Sequence, residues 1–287
     1  MKELLPRPLR RRLSRARHWF RSLPSRTRAQ KARLLASSTL SGGERALLTA
    51  AESRISFHDE MFAGTCEHYF RTGLSAIRCI DEALAAANVR EVRTILDMPS
   101  GYGRVLRFLV RRFPGAEVYA SELQVDAVRF CADTFGAKPV FSSPDFDGLS
   151  LETRFDLIWC GSLVTHLDAA PTLGLLRFFA RQLAPGGLLV FTTLGDYAAG
   201  RVLEAPASYA MPRERASQLA DAYARSGHGY VDYPGVDGYG LTLTSPEWVR
   251  AVTRQAGGLR EVCFSARGWH EHQDVFGFVR RRDSATM

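Results

Sequence analysis

Short apolar runs alternate with segments of helical periodicity through the middle of the chain. The runs are predicted to be strands and the periodic segments helices, in the order strand 94–98, helix 104–113, strand 117–121, helix 124–135, strand 139–142, strand 156–161, helix 169–184 and strand 187–193. Strands that alternate with helices form a mostly parallel sheet covered on both faces. The pattern therefore predicts a doubly wound α/β fold, which binds its ligands beyond the carboxyl ends of the strands.

The flanking segments are less regular. Helices are predicted over 43–55 and 68–87, near 213–225, and from Ser245, where serine followed by proline is typical of a helix start. The rest of 197–243 is rich in glycine and tyrosine and predicts a functional insertion or a mobile loop. Two further strands are predicted near the end, over 260–266 and 274–279.

The net charge of +8 is unevenly distributed along the chain. Residues 1–34 contain twelve Lys or Arg and one acid, Glu3, whereas the remainder contains 26 basic and 29 acidic residues. The body is thus mildly acidic, so no nucleic acid partner is expected. The five cysteines are far apart and lack C-x-x-C spacing, which indicates a reducing compartment and no zinc site.

The basic arm at 1–34 leaves three interpretations open. Apolar residues at helical spacing among the arginines favour an amphipathic helix in peripheral contact with an anionic membrane: Leu5, Leu9, Leu13, Ala16 and Phe20. Prolines in the same region favour a disordered tail, and an arginine-rich, acid-poor start is also similar to a mitochondrial presequence. No apolar run has the length of a bilayer span. The protein is expected in the cytoplasm, either free or peripheral on the inner membrane face.

A glycine turn directly follows the first predicted strand, in the segment Thr94-Ile-Leu-Asp-Met-Pro-Ser-Gly-Tyr-Gly-Arg104. Asp97 ends this strand and Glu122 ends the next, so both carboxylates are predicted at one edge of the sheet, unless each merely caps a helix. A dinucleotide site needs a third glycine, and position 106 is Leu. An NAD(P)-dependent oxidoreductase is therefore the less favoured alternative.

The ordered set of motifs resembles class I S-adenosylmethionine (SAM)-dependent methyltransferases. The first motif is similar to the family's D-x-G-x-G-x-G, with Pro99 in place of the first glycine, as in a bacterial subgroup with D-x-P-x-G-x-G-R. The resemblance spans about residues 90–195 and continues in three later segments: Val118–Glu122, Phe155–Ser162 and Leu183–Phe191.

The resemblance implies a Rossmann-like fold whose mostly parallel, seven-stranded sheet has an antiparallel edge strand. It also implies an N-terminal helical extension before the sheet. In this scheme the arm at 1–34 is followed by a helical lid over 35–90. A SAM-binding methyltransferase domain then occupies 91–287, with the insertion near 197–243.

SAM is the cofactor that the resemblance implies. Glu122 would bind both ribose hydroxyls, and the backbone of 100–103 would lie against the methionine part. The implied cofactor-binding residues are Asp97, Pro99, Ser100, Gly101, Gly103, Glu122, Leu123, Cys160 and Gly161. Arg71 is added by analogy, as a partner for the SAM carboxylate.

The acceptor is expected beyond the fourth strand, where His166 is either a catalytic base or a histidine bonded to a loop carbonyl. Candidate substrate contacts are His270, His272 and Tyr69. Spacing of i, i+2 between the two histidines, without a third ligand, predicts no metal site. Loop aromatics that either stack on an acceptor or simply pack are Tyr230, Tyr233, Tyr239 and Trp248.

Motifs of several methyltransferase classes are missing from the sequence. The chain lacks the Asp/Asn-Pro-Pro-aromatic motif of amino-methylating DNA enzymes, the Pro-Cys pair of cytosine-C5 enzymes and the paired-glutamate loop of arginine methyltransferases. The sequence therefore predicts methyl transfer, preferably to oxygen, on a small molecule or a glycan or lipid-linked acceptor. A non-catalytic SAM-binding protein is a further alternative.

Overall fold

The computed structural model describes residues 22–62 and 65–281. The predicted amphipathic helix and presequence signal fall almost entirely on residues 1–21, outside these ranges. Within the described ranges, no helix is long and apolar enough to cross a membrane.

Nine strands are found in the described chain. They are β1 (Thr94–Asp97), β2 (Glu117–Glu122), β3 (Lys138–Phe141), β4 (Phe155–Cys160), β5 (Leu183–Thr193), β6 (His228–Asp232), β7 (Gly240–Thr244), β8 (Leu259–Trp269) and β9 (Gln273–Arg280). Seven of them form one sheet in the order β3-β2-β1-β4-β5-β9-β8, and β6 and β7 pair separately.

The described helices surround this sheet. They are α1 (Pro24–Leu35), α2 (Gly42–Ala50), α3 (Cys66–Ala87), α4 (Leu106–Arg112), α5 (Val125–Phe135), α6 (Ala169–Gln182), α7 (Asp196–Glu204), α8 (Arg213–Ser226) and α9 (Pro246–Ala256). Short 3₁₀ turns lie at Val164–His166 and Pro206–Tyr209.

The predicted fold class is confirmed. Strands β1 to β5 of the main sheet are parallel, whereas β9 runs antiparallel to both of its neighbours, β5 and β8. The antiparallel pair β8–β9 therefore lies at the edge of the sheet, as predicted. The reversed strand is β9, and β8 is the outermost strand. The predicted strands and helices of the core are all present, with ends that differ by a few residues.

The alternation of side chains along β5 explains why the sheet is covered on both faces. Leu188 and Val190 belong to the core that contains α3, whereas Leu189 and Phe191 belong to the core that contains α6 and α9. Successive side chains of a strand point to opposite faces, so an uninterrupted apolar run serves both cores.

The predicted arm ends in a packed helix. Residues Thr27, Lys31 and Leu34 of α1 are buried, and Lys31 Nζ donates hydrogen bonds to the carbonyls of Thr49 and Ala51. Burial lowers the pKa of Lys31. The last third of the arm is therefore part of the folded body.

Helix α3, placed in a predicted lid, is a core helix. Its apolar side, including Phe70, Ile77 and Ile80, is buried against the sheet. The segment that lies beside the glycine turn is instead the stretch between α2 and α3, where the His58 ring stacks on Tyr102 at 6.4 Å between ring centres.

The insertion consists largely of regular elements, where the sequence indicated an irregular stretch outside 213–225. It contains α7, α8 and the β6–β7 hairpin, with a small core of its own that includes Val202, Leu219 and Leu243. Two glycines that suggested a loop lie inside the strands. A Cβ on Gly229 would collide with the carbonyl of Leu219, and a Cβ on Gly240 would collide with the carbonyl of Val231, so close approach of the backbones requires glycine there.

Arg107 joins the glycine turn to the N-terminal segments. Its fully buried guanidinium donates to the carbonyl of Gly103 at 3.0 Å and to the carbonyls of Glu52 and Arg54 at 2.8 and 3.1 Å. It also donates to the hydroxyl of Tyr69 at 3.1 Å. One side chain thus satisfies oxygens from three separate segments.

Tyr69 was predicted as a substrate contact, and the structure corrects this. The side chain is 1% exposed, and its hydroxyl donates to the Asp59 carboxylate at 2.5 Å while it accepts from Arg107. Tyr69 therefore belongs to a buried structural network, because helical periodicity alone cannot distinguish a core aromatic from a ligand contact.

We expect Arg107→Met to lower the free energy of unfolding by at least about 3 kcal/mol, since three carbonyls and a hydroxyl would lose a buried partner. Urea denaturation measures the loss. Arg111→Met, on the exposed side of the same helix, is the matched control and should stay within about 0.5 kcal/mol of the wild type. Equal effects of the two substitutions would contradict the role of the network.

Candidate functional site

Asp97 and Glu122 lie close together at the carboxyl edge of the sheet. Strands β1 and β2 are adjacent and parallel, and Asp97 pairs in register with Ala120, two residues before Glu122. Asp97 is 1% exposed, and burial together with the charge of Glu122 raises the pKa of Asp97 well above its usual value. The prediction that both acids share one edge is therefore met by the geometry.

The glycine turn orients the Glu122 carboxylate. The amide of Gly101 donates to one of its oxygens at 3.1 Å and the amide of Leu123 donates to the other at 2.7 Å. Gly101 has φ +49° and Gly103 has φ +80°, and a Cβ on Gly103 would collide with Phe135. The turn thus requires glycine at both positions.

Two ionisable groups at this edge lack partners. The Oδ2 atom of Asp97 is buried without a hydrogen bond among the described residues. The guanidinium of Arg104 lies 5.5 Å from the centre of the Trp269 ring, and no hydrogen bond or ion pair joins it to any described residue. Burial lowers the pKa of Arg104. A buried carboxylate oxygen without a hydrogen bond and a guanidinium without an ion-pair partner are features of a site that can bind a zwitterion.

Arg104 was not among the predicted cofactor residues. The only sequence signal for it is its place at the end of the D-x-P-x-G-x-G-R motif, which does not say where its side chain points. Arg71 was predicted for this role, but it donates to Glu67 at 2.9 Å and to Thr39 at 2.6 Å. No contact in the described chain joins Arg71 to Asp97 or Glu122.

The other predicted cofactor residues surround the same edge. Pro99 follows a cis peptide bond and is half-buried, and the amide of Ser100 donates to the Ser121 carbonyl at 2.9 Å. Leu123 is exposed just beyond β2. Cys160 ends β4 and Gly161 follows it, and burial and the Asp97 charge raise the pKa of the Cys160 thiol.

His166 lies beyond β4 in a 3₁₀ turn. Its Nδ1 atom is 2.9 Å from the carbonyl oxygen of Gly240, and its ring stacks on Tyr239 with 4.9 Å between ring centres. A carbonyl oxygen only accepts, so this contact assigns the proton to Nδ1 and leaves the lone pair on Nε2. The two interpretations left open for His166 are therefore compatible, since the loop carbonyl fixes the tautomer that a base requires.

Burial lowers the pKa of His166, although the hydrogen bond to Gly240 acts in the opposite direction. The imidazole is therefore neutral near pH 7, and Nε2 has no hydrogen-bond partner among the described residues. The chemical capacity of this group is to accept a proton.

His166 opens onto a cavity of about 460 Å³ between the sheet edge and the insertion. Its polar lining includes Ser162, Tyr197, Tyr209, Tyr233, His272 and Gln273. The amide of Gln273 donates to Ser162 at 3.0 Å and accepts from Thr192 at 2.6 Å, which ties β4, β5 and β9 together at the floor. A cavity of this size is in the range of small-molecule sites.

Tyr239 connects this cavity with the acid pair. Its ring covers His166, and partial burial and the charge of Glu122 both raise the pKa of Tyr239. Tyr239 of the β6–β7 hairpin thus contacts His166 and lies within electrostatic range of the Glu122 carboxylate.

Of the two histidines predicted as substrate contacts, only His272 lines the His166 cavity. His270 turns the other way: its Nε2 lies 3.1 Å from Nδ1 of His68, in a separate cavity of about 330 Å³ with Arg71 and Arg78. Alternate residues of the β8–β9 turn point to opposite sides, so the sequence could not assign both to one pocket. No group of three metal-ligating side chains occurs within 22–62 and 65–281.

Two of the four loop aromatics are packing residues. Trp248 stacks on His228 with 4.4 Å between ring centres, and the Tyr230 hydroxyl donates to Asp232 at 2.5 Å. Tyr233 and Tyr239 contact His166 instead.

Part of the chain matches a known protein family. Residues 95–187 match the family model described as a methyltransferase domain. No curated protein sequence matches the chain significantly.

Solved structures share the fold. A SAM-dependent methyltransferase from Clostridium acetobutylicum has a TM-score of 0.51 at 14% identity, covering 78% of this chain and 96% of that one. The sugar N-methyltransferase KedS8 from Streptoalloteichus sp. has a TM-score of 0.50 at 20% identity, covering 72% of this chain and 87% of that one. At such identities the likeness concerns the fold. Residues 95–187 thus match a methyltransferase domain, and the described chain has the fold of solved SAM-dependent methyltransferases.

Proposed function

We propose that the protein binds SAM at the carboxyl edge of β1 and β2 and methylates a hydroxyl group held in the His166 cavity. One observation carries the proposal: the buried, unpaired Oδ2 of Asp97 and the unpaired guanidinium of Arg104 lie beside a Glu122 carboxylate that backbone amides already orient. These groups match the parts of SAM one by one.

The residues at this edge fit each part of the cofactor. Asp97 would accept hydrogen bonds from the α-ammonium of the methionine part, and Arg104 would bind its α-carboxylate. Glu122 would accept from the ribose hydroxyls. Leu123 and Phe141, both more than half exposed at the ends of β2 and β3, offer apolar surface to the adenine.

An NAD(P) cofactor fits this edge less well. Its diphosphate would meet two carboxylates, of which Asp97 is buried and could not move away. The third glycine of a dinucleotide turn is replaced by Leu106, whose side chain is fully buried beneath the turn. The oxidoreductase alternative therefore loses support.

SAM supplies a methyl group that is already activated by its positive sulfur. The remaining task of the protein is to hold the acceptor in line and to receive its proton, and correct positioning alone can lower a barrier by roughly 7–11 kcal/mol. His166 supports oxygen as the acceptor atom, because its neutral Nε2 is a base for a hydroxyl proton at neutral pH. From the insertion, Tyr239 stacks on the imidazole of His166.

The general experiment is to incubate the protein and methyl-labelled SAM with cell extract and to identify the labelled product. A labelled ether or ester supports O-methylation. A protein that binds SAM but labels nothing supports the non-catalytic alternative.

Glu122→Gln should raise the Kd for SAM about 10- to 100-fold, because a charge-assisted hydrogen bond to a ribose hydroxyl is worth about 1.5–3 kcal/mol. Isothermal titration calorimetry measures the change. Glu117→Gln, at the opposite end of the same strand and paired with Lys138, is the matched control and should bind normally. A Glu122→Gln protein within twofold of the wild type would refute the ribose assignment.

Arg104→Gln should weaken binding of S-adenosylhomocysteine (SAH) at least tenfold while leaving the affinity for 5′-methylthioadenosine unchanged. Only the first ligand has the α-carboxylate that Arg104 is proposed to bind. Calorimetry with both ligands separates this effect from general damage to the site, and Arg111→Gln serves as the surface control. Equal losses for both ligands would remove Arg104 from the carboxylate role.

His166→Gln should lower kcat by about 10²- to 10⁴-fold without changing the Kd for SAM. In the wild type, rate should rise with pH through the pKa of His166 and then level off. Because burial lowers that pKa, the midpoint of the rise should lie below the usual histidine value of about 6.5. Labelled methyl transfer to extract acceptors across a pH series provides the test, and a wild-type rate that climbs steadily above pH 8 would exclude His166 as the base.

A further inference from the structure

The His166 cavity has a one-sided charge. Arg201 of α7 lines it, and the described residues contribute no carboxylate side chain to its lining. A second guanidinium, that of Arg267, lies 4.0 Å from the centre of the ring of Tyr197, another lining residue. Two guanidinium groups therefore lie at this cavity, and that of Arg201 forms an exposed ion pair with Glu204.

Arg201 retains free donors. One of its terminal nitrogens donates to Glu204 at 2.7 Å, and its other nitrogens have no partner in the described chain. Both side chains of this pair are largely exposed, so the pair contributes little to stability and can yield to a ligand. Burial lowers the pKa of His272, and the charges of Arg201 and Arg267 lower it further, as expected in a positive field.

Aromatic rings and hydrogen-bonding groups both line the same cavity. Tyr209 stacks on His272 with 5.8 Å between ring centres, and Tyr197 meets the edge of the same imidazole at 5.7 Å. Ser162 and Gln273 line the same cavity with a hydroxyl group and an amide group. Flat apolar faces beside hydrogen-bonding groups suit a sugar ring, which has C–H faces and a rim of hydroxyls.

We propose that the acceptor is an acidic sugar, whose carboxylate or phosphate binds Arg201 and whose hydroxyl lies at Nε2 of His166. This inference rests on the proposed function. In the transfer, the hydroxyl oxygen forms the bond to the methyl carbon while the methyl–sulfur bond breaks and its electron pair stays on sulfur. The hydroxyl proton passes to Nε2 of His166, and SAH is left.

The same charges exclude an amino sugar. An amine is protonated near pH 7, and its positive charge would meet Arg201 and Arg267 with no lining carboxylate to stabilise it. Acidic, neutral and cationic sugars should therefore bind to the cavity with different affinities.

The test uses the full chain saturated with SAH and titrated with glucuronate, glucose 6-phosphate, glucose and glucosamine. At least one of the two acids should bind at least tenfold more tightly than glucose, and glucosamine should be weakest. Tighter binding of glucuronate identifies a carboxylate, and tighter binding of the phosphate identifies a phosphoryl group. Equal binding of all four, preference for glucosamine, or no binding of either acid would overturn the proposal.

Variants assign the effect to Arg201. Arg201→Gln should abolish the preference for the acids, Arg201→Lys should retain most of it, and Arg225→Gln on the exposed side of α8 should leave it unchanged. Thermal unfolding of each variant controls for folding. SAH affinity is measured in the same series, so failure of the cofactor site is recognised separately from failure of the acceptor assignment. An unaltered preference in Arg201→Gln would refute the inference.

Discussion

Asp97 and Glu122 end two neighbouring parallel strands, and the burial of Asp97 beside the charge of Glu122 is the constraint on which the site depends. The backbone amides of Gly101 and Leu123 donate to the Glu122 carboxylate, whereas Oδ2 of Asp97 is buried without a hydrogen-bond partner among the described residues. Such an arrangement costs stability unless a ligand brings positive charge. The guanidinium of Arg104 likewise has no ion-pair partner among the described residues. One zwitterionic ligand could therefore place its positive group at Asp97 and its negative group at Arg104.

The His166 cavity lies at the same edge of the sheet, but other elements form it. Gly240 of the insertion fixes the tautomer of His166, and Gln273 joins the ends of β4, β5 and β9 beneath the cavity. In the proposed arrangement, the cofactor would lie at the ends of β1 and β2 and the acceptor beside β4, in a cavity that the insertion helps to line.

The strands, the order of motifs and the shared edge of Asp97 and Glu122 were predictable because they follow from apolar runs and chain-local turns. Residues set by tertiary contacts were not. Tyr69 and Arg71 lie on a helix whose packing partners come from distant segments, and His270 and His272 differ only in which side of a turn they face. The glycines at 229 and 240 suggested a loop. They are required because the carbonyls of Leu219 and Val231 lie too close for a Cβ, and the residues next to them in the sequence do not indicate this contact.

The small core of the insertion, formed around Val202, Leu219 and Leu243, is separate from the two cores that cover the sheet. Substitutions in α7 and α8 can therefore accumulate without altering the packing of β1, β2 and the glycine turn. In evolution, and equally in engineering, the residues around the His166 cavity are therefore free to diverge while the carboxyl edge of β1 and β2 keeps its packing.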